Sequence, residues 1–408
     1  MKSRVGRWMD ICFYLGLSLA ISVGFLGRSY FAGYFSDWIL PLFVVSWFLV
    51  AGEEVVLLFT GQYRWKDYLA AVVFFGLFLV LIKHRNATVE LATYLPLAYA
   101  AGKRDFEKVA KCILIVEIIL FLIVVAAALT GPIENFSLLY YDMSGIQNEE
   151  ARDMFFMGFL FHLIPGYLML NMTLLALYLN RRKVSGWLCL GLLVANGLVY
   201  VFSYGRMSYG MALLAILPVW MVGAFKTFRS GKGAEGKQYG KGLAKWLSVL
   251  MLGAFPMSAI VSFLSAYYYN PEIEWMGKLN YDIGNRLIFA YNGLKEYGIS
   301  LFGSDKPMIG AGFDFEGNRV AGAYNWVDNA WMNALFRYGV IFMVALCILY
   351  IWLLYRLWKQ GEYAAMYLIC VVAVWMLIDD NNILFCFNGF LVMFGSGMRT
   401  KDRPTPTI

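Results

Sequence analysis

Three side chains of this sequence combine what a group-transfer reaction needs, namely fixed positive charge and a proton acceptor. Arg206 follows the short break Ser203-Tyr204-Gly205 between two apolar segments, and Arg286 lies in a long polar and aromatic stretch. Because a guanidinium can bind phosphate oxygens through two parallel donors, each arginine is a candidate phosphate anchor. Asp328 lies near the end of the same stretch. It is the candidate general base, since burial can raise the pKa of a carboxyl group toward neutrality.

Each of these residues also has a structural interpretation that the sequence leaves open. Arg206 could extend along the apolar surface to reach lipid headgroups. Arg286 could form an ion pair with Asp282, one helical turn earlier. Asp328 could be the N-cap of the helix that follows it, a role that does not exclude catalysis.

Other polar residues near these three are candidate ligands for a substrate. Asn329, Asn333 and Arg337 recur at i, i+4 and i+8, which places them on one face of a helix. The remaining candidate substrate ligands are Asn285, Gly310, Gly312 and Arg85. Two aspartates in the later sequence DDNN are the alternative candidates for the base, Asp379 and Asp380.

Residues that bind metals are scarce in this chain. It has two histidines and six cysteines, without the clustered spacing of a zinc site. The cysteines lie in or beside apolar segments rather than in the long polar stretch, so no disulfide framework is predicted. We expect no metal, no organic cofactor and no nucleic acid as a partner.

The composition identifies the environment in which these residues must work. Hydrophobic residues make up 61% of the chain and charged residues 15%, against about 45–50% and 25% in soluble domains. Apolar runs of about 17–25 residues recur, each long enough to cross a hydrocarbon core of about 30 Å. The sequence therefore predicts an all-α polytopic membrane protein with a single membrane domain over residues 1–408.

Twelve apolar segments are the predicted transmembrane helices, and the third and fourth are short enough to form a re-entrant hairpin instead. Their ranges are 10–27, 38–59, 68–82, 87–101, 109–130, 153–179, 185–203, 207–225, 246–266, 329–357, 363–378 and 383–398. About two-thirds of the lysines and arginines fall in alternate joints, which the positive-inside rule assigns to the cytoplasm together with both termini. The long segment 267–328, between helices 9 and 10, is then extracytoplasmic, and we expect the chemistry there.

Segment 267–328 has its own predicted organisation. The spacing of its apolar residues predicts an amphipathic helix over Asp282–Tyr297, with Arg286 at the edge of the apolar face. The glycines that follow, including Gly303, permit tight turns and close backbone approach. The tenth helix is long enough for its first turns to stand in or above the headgroups. Four carboxylates inside predicted spans are interpreted as structural, namely Glu53, Glu54, Glu90 and Glu117.

These features, in this order, resemble the superfamily of O-antigen ligases and Wzy-type polysaccharide polymerases. Four motifs carry the resemblance: an Arg at the end of the short helix break Ser203–Arg206, Asn285-Arg286 in a long loop, Gly310-Ala311-Gly312, and Asp328-Asn329 leading to Gly339. It covers about residues 200–340 in the order of the motifs and the whole chain in topology. Ligases of this superfamily usually carry His before the Asn, so Asp328 at this position favours the polymerase branch.

The resemblance implies a GT-C-like fold and a metal-independent glycosyl transfer at the outer face of the bacterial cytoplasmic membrane. The donor would be a glycan on polyprenyl diphosphate, such as undecaprenyl diphosphate, and the acceptor a sugar hydroxyl on another lipid-linked repeat unit. Arg206 and Arg286 would stabilise the diphosphate leaving group. Asp328 would be the base, with Asn329 orienting the acceptor or the base. Expected partners are the lipid-linked oligosaccharide, membrane lipids, and the flippase and chain-length regulator of the same pathway.

Two other functions stay open from the sequence. A ligase would transfer the finished glycan to a different acceptor, and a flippase or exporter would move lipid-linked sugars without making bonds. A transporter built from matched halves should show an internal repeat, whereas nothing in the first six predicted helices corresponds to segment 267–328. The polar residues also concentrate toward one face, which favours an enzyme.

Overall fold

The structure is a computed structural model that describes residues 4–59, 65–83, 89–140, 152–230, 239–310 and 324–398. Most of these residues are helical. The helices are α1 (Arg4–Leu26), α2 (Ala32–Phe35), α3 (Ile39–Phe59), α4 (Trp65–Lys83), α5 (Val89–Ala101), α6 (Phe106–Thr130), α7 (Ile164–Leu179), α8 (Gly186–Ser203), α9 (Arg206–Ser230), α10 (Tyr239–Leu252), α11 (Ala254–Tyr267), α12 (Glu274–Asp282), α13 (Arg286–Tyr297), α14 (Ala330–Lys359), α15 (Tyr363–Trp375) and α16 (Met393–Met398). Two strands, β1 (Ser137–Tyr140) and β2 (Arg152–Phe155), pair antiparallel with Ser137 opposite Phe155.

Five of the described helical stretches are long and apolar enough to cross a membrane on their own. They are Gly6–Leu26, Ala32–Gly52, Phe106–Thr130, Gly186–Ser203 and Ala330–Lys359. Helices α10 and α11, bent by 53° relative to each other, would add one more if they form a single span. Apolar helices of this length indicate a membrane protein. Fewer of them are long enough to cross alone than the twelve predicted from the sequence.

Helix α6 shows how the sequence produces such an element. Its first turn is capped by Asp105, whose side chain accepts the amide of Glu107, and it ends at Gly131 with a φ of +93°. That left-handed conformation favours glycine, which terminates the helix. Leu122 and Leu129 are exposed on one face. Large apolar side chains on the outside of a long helix are expected where lipid covers them.

Two of the predicted spans differ from the structure. Segment 153–179 is helical only from Ile164, after β2 and a turn, and Pro165 occupies the first turn of α7. Proline suits that position because the first amides of a helix have no partner within it. Segment 383–398 contains the 3₁₀ turns Phe385–Phe387 and Gly389–Val392 before the short α16. The prediction of a continuous helix there is wrong.

Buried amide side chains account for the irregular backbone that precedes α16. Asn382 Nδ2 donates to the Asp379 carbonyl over 3.0 Å, and Asn388 Nδ2 donates to the Asn382 carbonyl over 2.9 Å. Asn171 Oδ1, on α7, accepts the amide of Gly389 over 2.9 Å. Irregular backbone inside a membrane protein is stable where other groups of the protein satisfy it. Side-chain amides do so in this segment.

Three of the four carboxylates inside the predicted spans have structural partners among the described residues. Each carboxylate is matched to a basic or amide group on another element: Lys103 for Glu54 at 2.8 Å, Arg28 for Glu90 at 2.6 Å, and Asn171 for Glu117 at 2.9 and 3.0 Å. A buried charge is tolerated when it is paired and hydrogen-bonded in this way. This agrees with the structural interpretation of these three residues. The side chain of Glu53 lies outside the described part of the chain.

Helix α14 is interrupted at Gly339, where φ is +86° and ψ is 179°. The segment Ser300–Ser304 fills the interruption: the Ser304 amide donates to the Phe336 carbonyl over 2.7 Å, and the Val340 amide donates to the Ser300 carbonyl over 3.0 Å. The backbone groups freed by the break are therefore satisfied by the segment that precedes α14 in the chain.

The close backbone approach expected of the glycines is confirmed at Gly303. A Cβ atom there would lie 2.1 Å from the Arg337 carbonyl oxygen, so a larger residue does not fit. The part of α14 before Gly339 is buried. Helices α11 and α13 and the segment Ser300–Ser304 pack around these first turns, so other parts of the protein cover them. Their depth relative to the lipid headgroups stays a prediction.

Candidate active site

Four charged side chains from three parts of the chain converge beside the first half of α14. Arg286 begins α13, Asp328 lies just before α14, and Asp379 and Asp380 lie in the turn after α15. The positive charge of Arg286 acts on both Asp328 and Asp379. We call these four residues, with Tyr324 and Tyr167, the aspartate cluster. It combines the preferred base of the sequence analysis, its two alternatives and one of the two principal arginines.

The Arg286 guanidinium is held by backbone on two sides. Its Nε donates to the carbonyl of Ile378, after α15, and its Nη1 donates to the carbonyl of Ile283, in the turn before α13. A guanidinium has five N–H donors, so this anchoring leaves others for a ligand. Burial alone would lower the pKa of Arg286, but Tyr167, Asp328 and Asp379 raise it. Arg286 is therefore a fixed cation.

The predicted helix Asp282–Tyr297 is two helices rather than one. Helix α12 ends at Asp282 and α13 begins at Arg286, with φ of +71° at Gly284 and +62° at Asn285 between them. Glycine and asparagine are the residues that adopt such angles most easily. Asp282 is exposed, and the Arg286 guanidinium instead donates to Ile378 and Ile283. The alternative of an Asp282–Arg286 ion pair is therefore not supported.

Asn280, which the sequence analysis missed, organises the turn that presents Arg286. Its Oδ1 accepts the amides of Leu287 and Ile288 over 3.1 and 3.0 Å, and its Nδ2 donates to Asn285 Oδ1 over 2.9 Å. Asn280 thus caps α13 from the preceding helix. No local pattern marks this role, because the cap normally lies directly before the helix rather than six residues upstream.

We expect Asn280→Ala to loosen the first turn of α13. Loss of a helix cap costs about 0.5–2 kcal/mol, so amide exchange at Leu287 and Ile288 should accelerate about 2- to 30-fold. Hydrogen-exchange mass spectrometry of peptides from α13 measures this. Asn280→Asp is the matched control, because a carboxylate oxygen can accept the same amides. Unchanged exchange in the alanine variant would show that the cap lies elsewhere.

Asp328 is held through one oxygen and is not the helix cap. Its Oδ2 accepts the Tyr324 hydroxyl over 2.6 Å. The N-cap of α14 is Asn329, whose Oδ1 accepts the amides of Trp331 and Met332, both over 3.1 Å. The interpretation of Asp328 as the N-cap is therefore wrong. The neighbouring asparagine caps the helix, which leaves the Asp328 carboxylate for another role.

Asp379 and Asp380 are more deeply buried than Asp328. Asp379 accepts the Asn381 amide over 2.8 Å and the Tyr167 hydroxyl. Asp380 Oδ2 accepts Trp326 Nε1 over 3.1 Å and Asn333 Nδ2 over 3.2 Å. Their exposed fractions are 2% and 6%, whereas Asp328 is half-buried. Asp328 is the aspartate that a substrate would reach most easily.

The surroundings raise the pKa of all three carboxyl groups. Burial raises the pKa of Asp328, against the opposing effects of Arg286 and the Tyr324 hydrogen bond. Burial raises the pKa of Asp379 to about 6, opposed by Tyr167, Arg286 and the Asn381 amide. Burial and then the charges of Asp379 and Asp328 raise the pKa of Asp380 well above its usual value. A carboxyl group whose pKa is raised toward neutral pH is suited to accept a proton from a substrate.

The other predicted substrate ligands have varied positions. Asn333 donates to Asp380 and to the Val327 carbonyl, and the Arg337 guanidinium carbon lies 5.3 Å from the Trp326 ring centroid.

The remaining predicted ligands have other contacts or are not described. Asn329 caps α14 through its Oδ1, and its Nδ2 donates to Ser262 and to the Leu377 carbonyl. Asn285 Oδ1 accepts from Asn280, and Gly310 faces the Trp326 ring. Gly312 and Arg85 lie outside the described residues.

Arg206 is the first residue of α9 and is exposed. Its guanidinium carbon lies 5.7 Å from the centroid of the Tyr204 ring. Tyr204 has a φ of +56°, and its carbonyl accepts the Arg206 amide over 2.9 Å, so the break between α8 and α9 is the minimal joint that the sequence indicated. That Arg206 acts together with the aspartate cluster stays a prediction.

Among the described residues, no group of three or more His, Cys, Asp or Glu side chains is arranged to hold a metal ion. Metal independence itself stays a prediction for experiment. Comparison of the chain with protein-family models, curated proteins and solved structures finds no match. The functional evidence therefore lies in the aspartate cluster and in the residues that shape it.

Proposed function

We propose that this protein is a membrane glycosyltransferase that polymerises oligosaccharide repeat units carried on polyprenyl diphosphate into a surface polysaccharide. The observation that carries the proposal is the fixed Arg286 guanidinium beside the half-buried Asp328. Transfer of a glycan from a lipid diphosphate needs a cation for the leaving group and a base for the incoming hydroxyl. The aspartate cluster contains both.

In the proposed reaction, Asp328 accepts the proton of the acceptor hydroxyl as its oxygen attacks the anomeric carbon of the donor. The bond between that carbon and the diphosphate oxygen breaks, and its electron pair stays on the departing lipid diphosphate. Arg286, together with Arg206 in this proposal, stabilises the charge that develops there. A guanidinium held by two carbonyls needs little reorganisation, which lowers the barrier more than a mobile cation would.

The accessibility of its side chain supports Asp328 over Asp379 and Asp380 as the base. Asp379 and Asp380 are buried, and each accepts two hydrogen bonds from the protein. Asp379 interacts electrostatically with Arg286, and Asp380 with Arg337. We assign them a supporting role in holding the arginines and in tuning Asp328.

The membrane arrangement is part of the same proposal. The chain would cross a bacterial cytoplasmic membrane about twelve times in a GT-C-like architecture, with both termini in the cytoplasm and segment 267–328 outside. The asymmetric distribution of Lys and Arg supports this orientation. The lipid-linked donor would then arrive from a flippase, and a chain-length regulator would act on the product.

The test is reconstitution of the purified protein in liposomes with a lipid-linked oligosaccharide diphosphate. We expect a ladder of extended glycans, release of the lipid diphosphate, and no loss of activity in EDTA, since the two arginines supply the positive charge. Failure to extend any lipid-linked repeat unit by an intact, correctly inserted protein would contradict the proposal. Loss in EDTA with recovery on added Mg²⁺ or Mn²⁺ would contradict its metal-independent form.

Two alternatives remain distinguishable in that assay. Transfer of the whole glycan to a lipid core or cell-wall polymer, without a ladder, would indicate a ligase. The interruption of α14 at Gly339 and the bend between α10 and α11 are features that transporters also use. Movement of the labelled lipid-linked sugar across the liposome membrane without product would therefore indicate a flippase or exporter.

A further inference from the structure

Tyr324, in the aspartate cluster, contacts both Asp328 and helix α13. Its hydroxyl donates to Asp328 Oδ2 over 2.6 Å. Its ring packs edge-on against Phe289 of α13, with the centroids 4.8 Å apart and an interplanar angle of 66°. Phe289 lies three residues after Arg286 on that helix. Tyr324 thus connects the proposed base to the helix that presents the proposed cation.

The hydrogen bond from Tyr324 distinguishes the two oxygens of Asp328. Oδ2 is occupied by the phenol, whereas Oδ1 accepts no hydrogen bond from the described residues. Asp328 is half-buried, so the open oxygen belongs to a side chain that a substrate can reach. A carboxylate held at one oxygen keeps a fixed direction for the other, which is what proton transfer from a bound hydroxyl requires.

We propose that Tyr324 is a positioning residue that holds Asp328 through Oδ2, leaves Oδ1 as the proton acceptor, and fixes the base relative to α13. This inference rests on the proposed function for its catalytic meaning. The hydroxyl of Tyr324 and the packing of its ring on Phe289 can each be changed by a separate substitution.

The Tyr324 hydroxyl affects the pKa of Asp328 in a known direction. A donor to the ionised carboxylate lowers its pKa, so Tyr324 opposes the rise in the pKa of Asp328 that burial causes. Removing the hydroxyl should raise that pKa and keep the carboxyl protonated to higher pH. The other charged or titratable groups around it come from every neighbouring element: Arg286 on α13, Asp379 and Asp380 after α15, Tyr167 on α7 and Arg337 on α14.

The experiment measures protonation of Asp328 without relying on activity. Dicyclohexylcarbodiimide reacts with protonated carboxyl groups, and mass spectrometry of the reconstituted protein reports labelling at Asp328 as a function of pH. Tyr324→Phe should move the midpoint about one pH unit upward, the size expected for loss of one hydrogen bond to a carboxylate. Phe289→Leu, which keeps the phenol and loosens its ring, should move it less in the same direction.

Tyr297→Phe is the matched control. It makes the same change in the same segment, at a hydroxyl that donates to the Pro307 carbonyl over 3.4 Å rather than to Asp328. Its labelling midpoint should equal that of the unaltered protein. An unmoved midpoint in Tyr324→Phe, or an equal movement in Tyr297→Phe, would overturn the proposal.

Activity separates this inference from the function on which it rests. In a polymerase, the acid limb of the pH profile of kcat/KM should move upward in Tyr324→Phe together with the labelling midpoint, and the rate should recover at higher pH. If the labelling midpoint shifts but no form of the protein extends glycans, the proposed function would be overturned. The shift would still support the hydrogen bond by which Tyr324 positions Asp328. If Tyr324→Phe extends glycans and the acid limb of its pH profile of kcat/KM does not move, the positioning role of Tyr324 would be overturned.

Discussion

Arg286→Lys is expected to lower the rate of glycan extension about 10²–10³-fold, the effect of removing one preorganised donor from a developing negative charge. Lysine keeps the charge, but it lacks the planar fork that reaches Ile378 on one side and Ile283 on the other while offering further donors. The measurement is ladder length and initial rate in reconstituted liposomes, with the amount of inserted protein determined by immunoblot.

Lys295→Gln is the control for this variant. Lys295 lies on the same helix, with its ammonium nitrogen 4.0 Å from the centroid of the Tyr291 ring, away from the aspartate cluster. We expect it to extend glycans at a normal rate although it has lost a positive charge. Arg206→Lys should lose activity in the same direction as Arg286→Lys. Full-length polymer from both arginine variants would refute the role of these residues in binding the diphosphate.

Asp328→Asn is expected to be well expressed and correctly inserted, but to extend glycans about 10²–10⁴-fold more slowly, the usual cost of losing a general base. Asparagine keeps the size of the side chain and can still accept the Tyr324 hydroxyl. Because Asn329 caps α14, the substitution leaves the start of that helix intact. Lipid-linked oligosaccharides extracted from a strain that carries only this variant should consist of single repeat units.

Two comparisons locate the base within the aspartate cluster. Asn329→Asp keeps a capping oxygen at α14 but loses the Nδ2 donor to Ser262 and Leu377, so it measures how much activity depends on packing at the start of that helix rather than on the base. Asp380→Asn should reduce activity less than Asp328→Asn, because Asp380 is buried against Trp326 and Asn333. A normal ladder from Asp328→Asn, with loss in Asp380→Asn or the corresponding Asp379 variant, would move the base to the turn after α15.

Several candidate residues selected from the sequence lie together in the structure, whereas the residues that hold them were not predicted. Arg286, Asp328 and the pair Asp379 and Asp380 were selected from residue type and position, and the fold brings them together. Burial and long-range packing decide which neighbours hold them, and neither is visible in a linear pattern. Tyr324 reads in the sequence as one of many interfacial aromatics.

Two of the errors in the predicted helices share one physical cause. Apolar content predicted a continuous span over 383–398, but Asn382 and Asn388 satisfy the backbone there in a non-helical path. Similarly, periodicity predicted one helix from Asp282, whereas Gly284 and Asn285 adopt positive φ and the Asn280 side chain restarts the helix at Arg286. In both segments, hydrogen bonds between side-chain amides and the backbone override the local helix propensity.

The interruption at Gly339 divides α14 in a way that matters for biogenesis. The part after the break, residues 340–359, is about 20 residues long and spans about 30 Å, enough for the insertion machinery to recognise as a membrane helix by itself. The nine residues before it carry Asn333 and Arg337, which would be costly to pass into lipid. They can instead be recruited later, when Ser300–Ser304 completes the backbone bonds at the break. We therefore expect insertion of the chain and assembly of its charged site to be separate events, so that a substitution in segment 267–328 can abolish the second without disturbing the first.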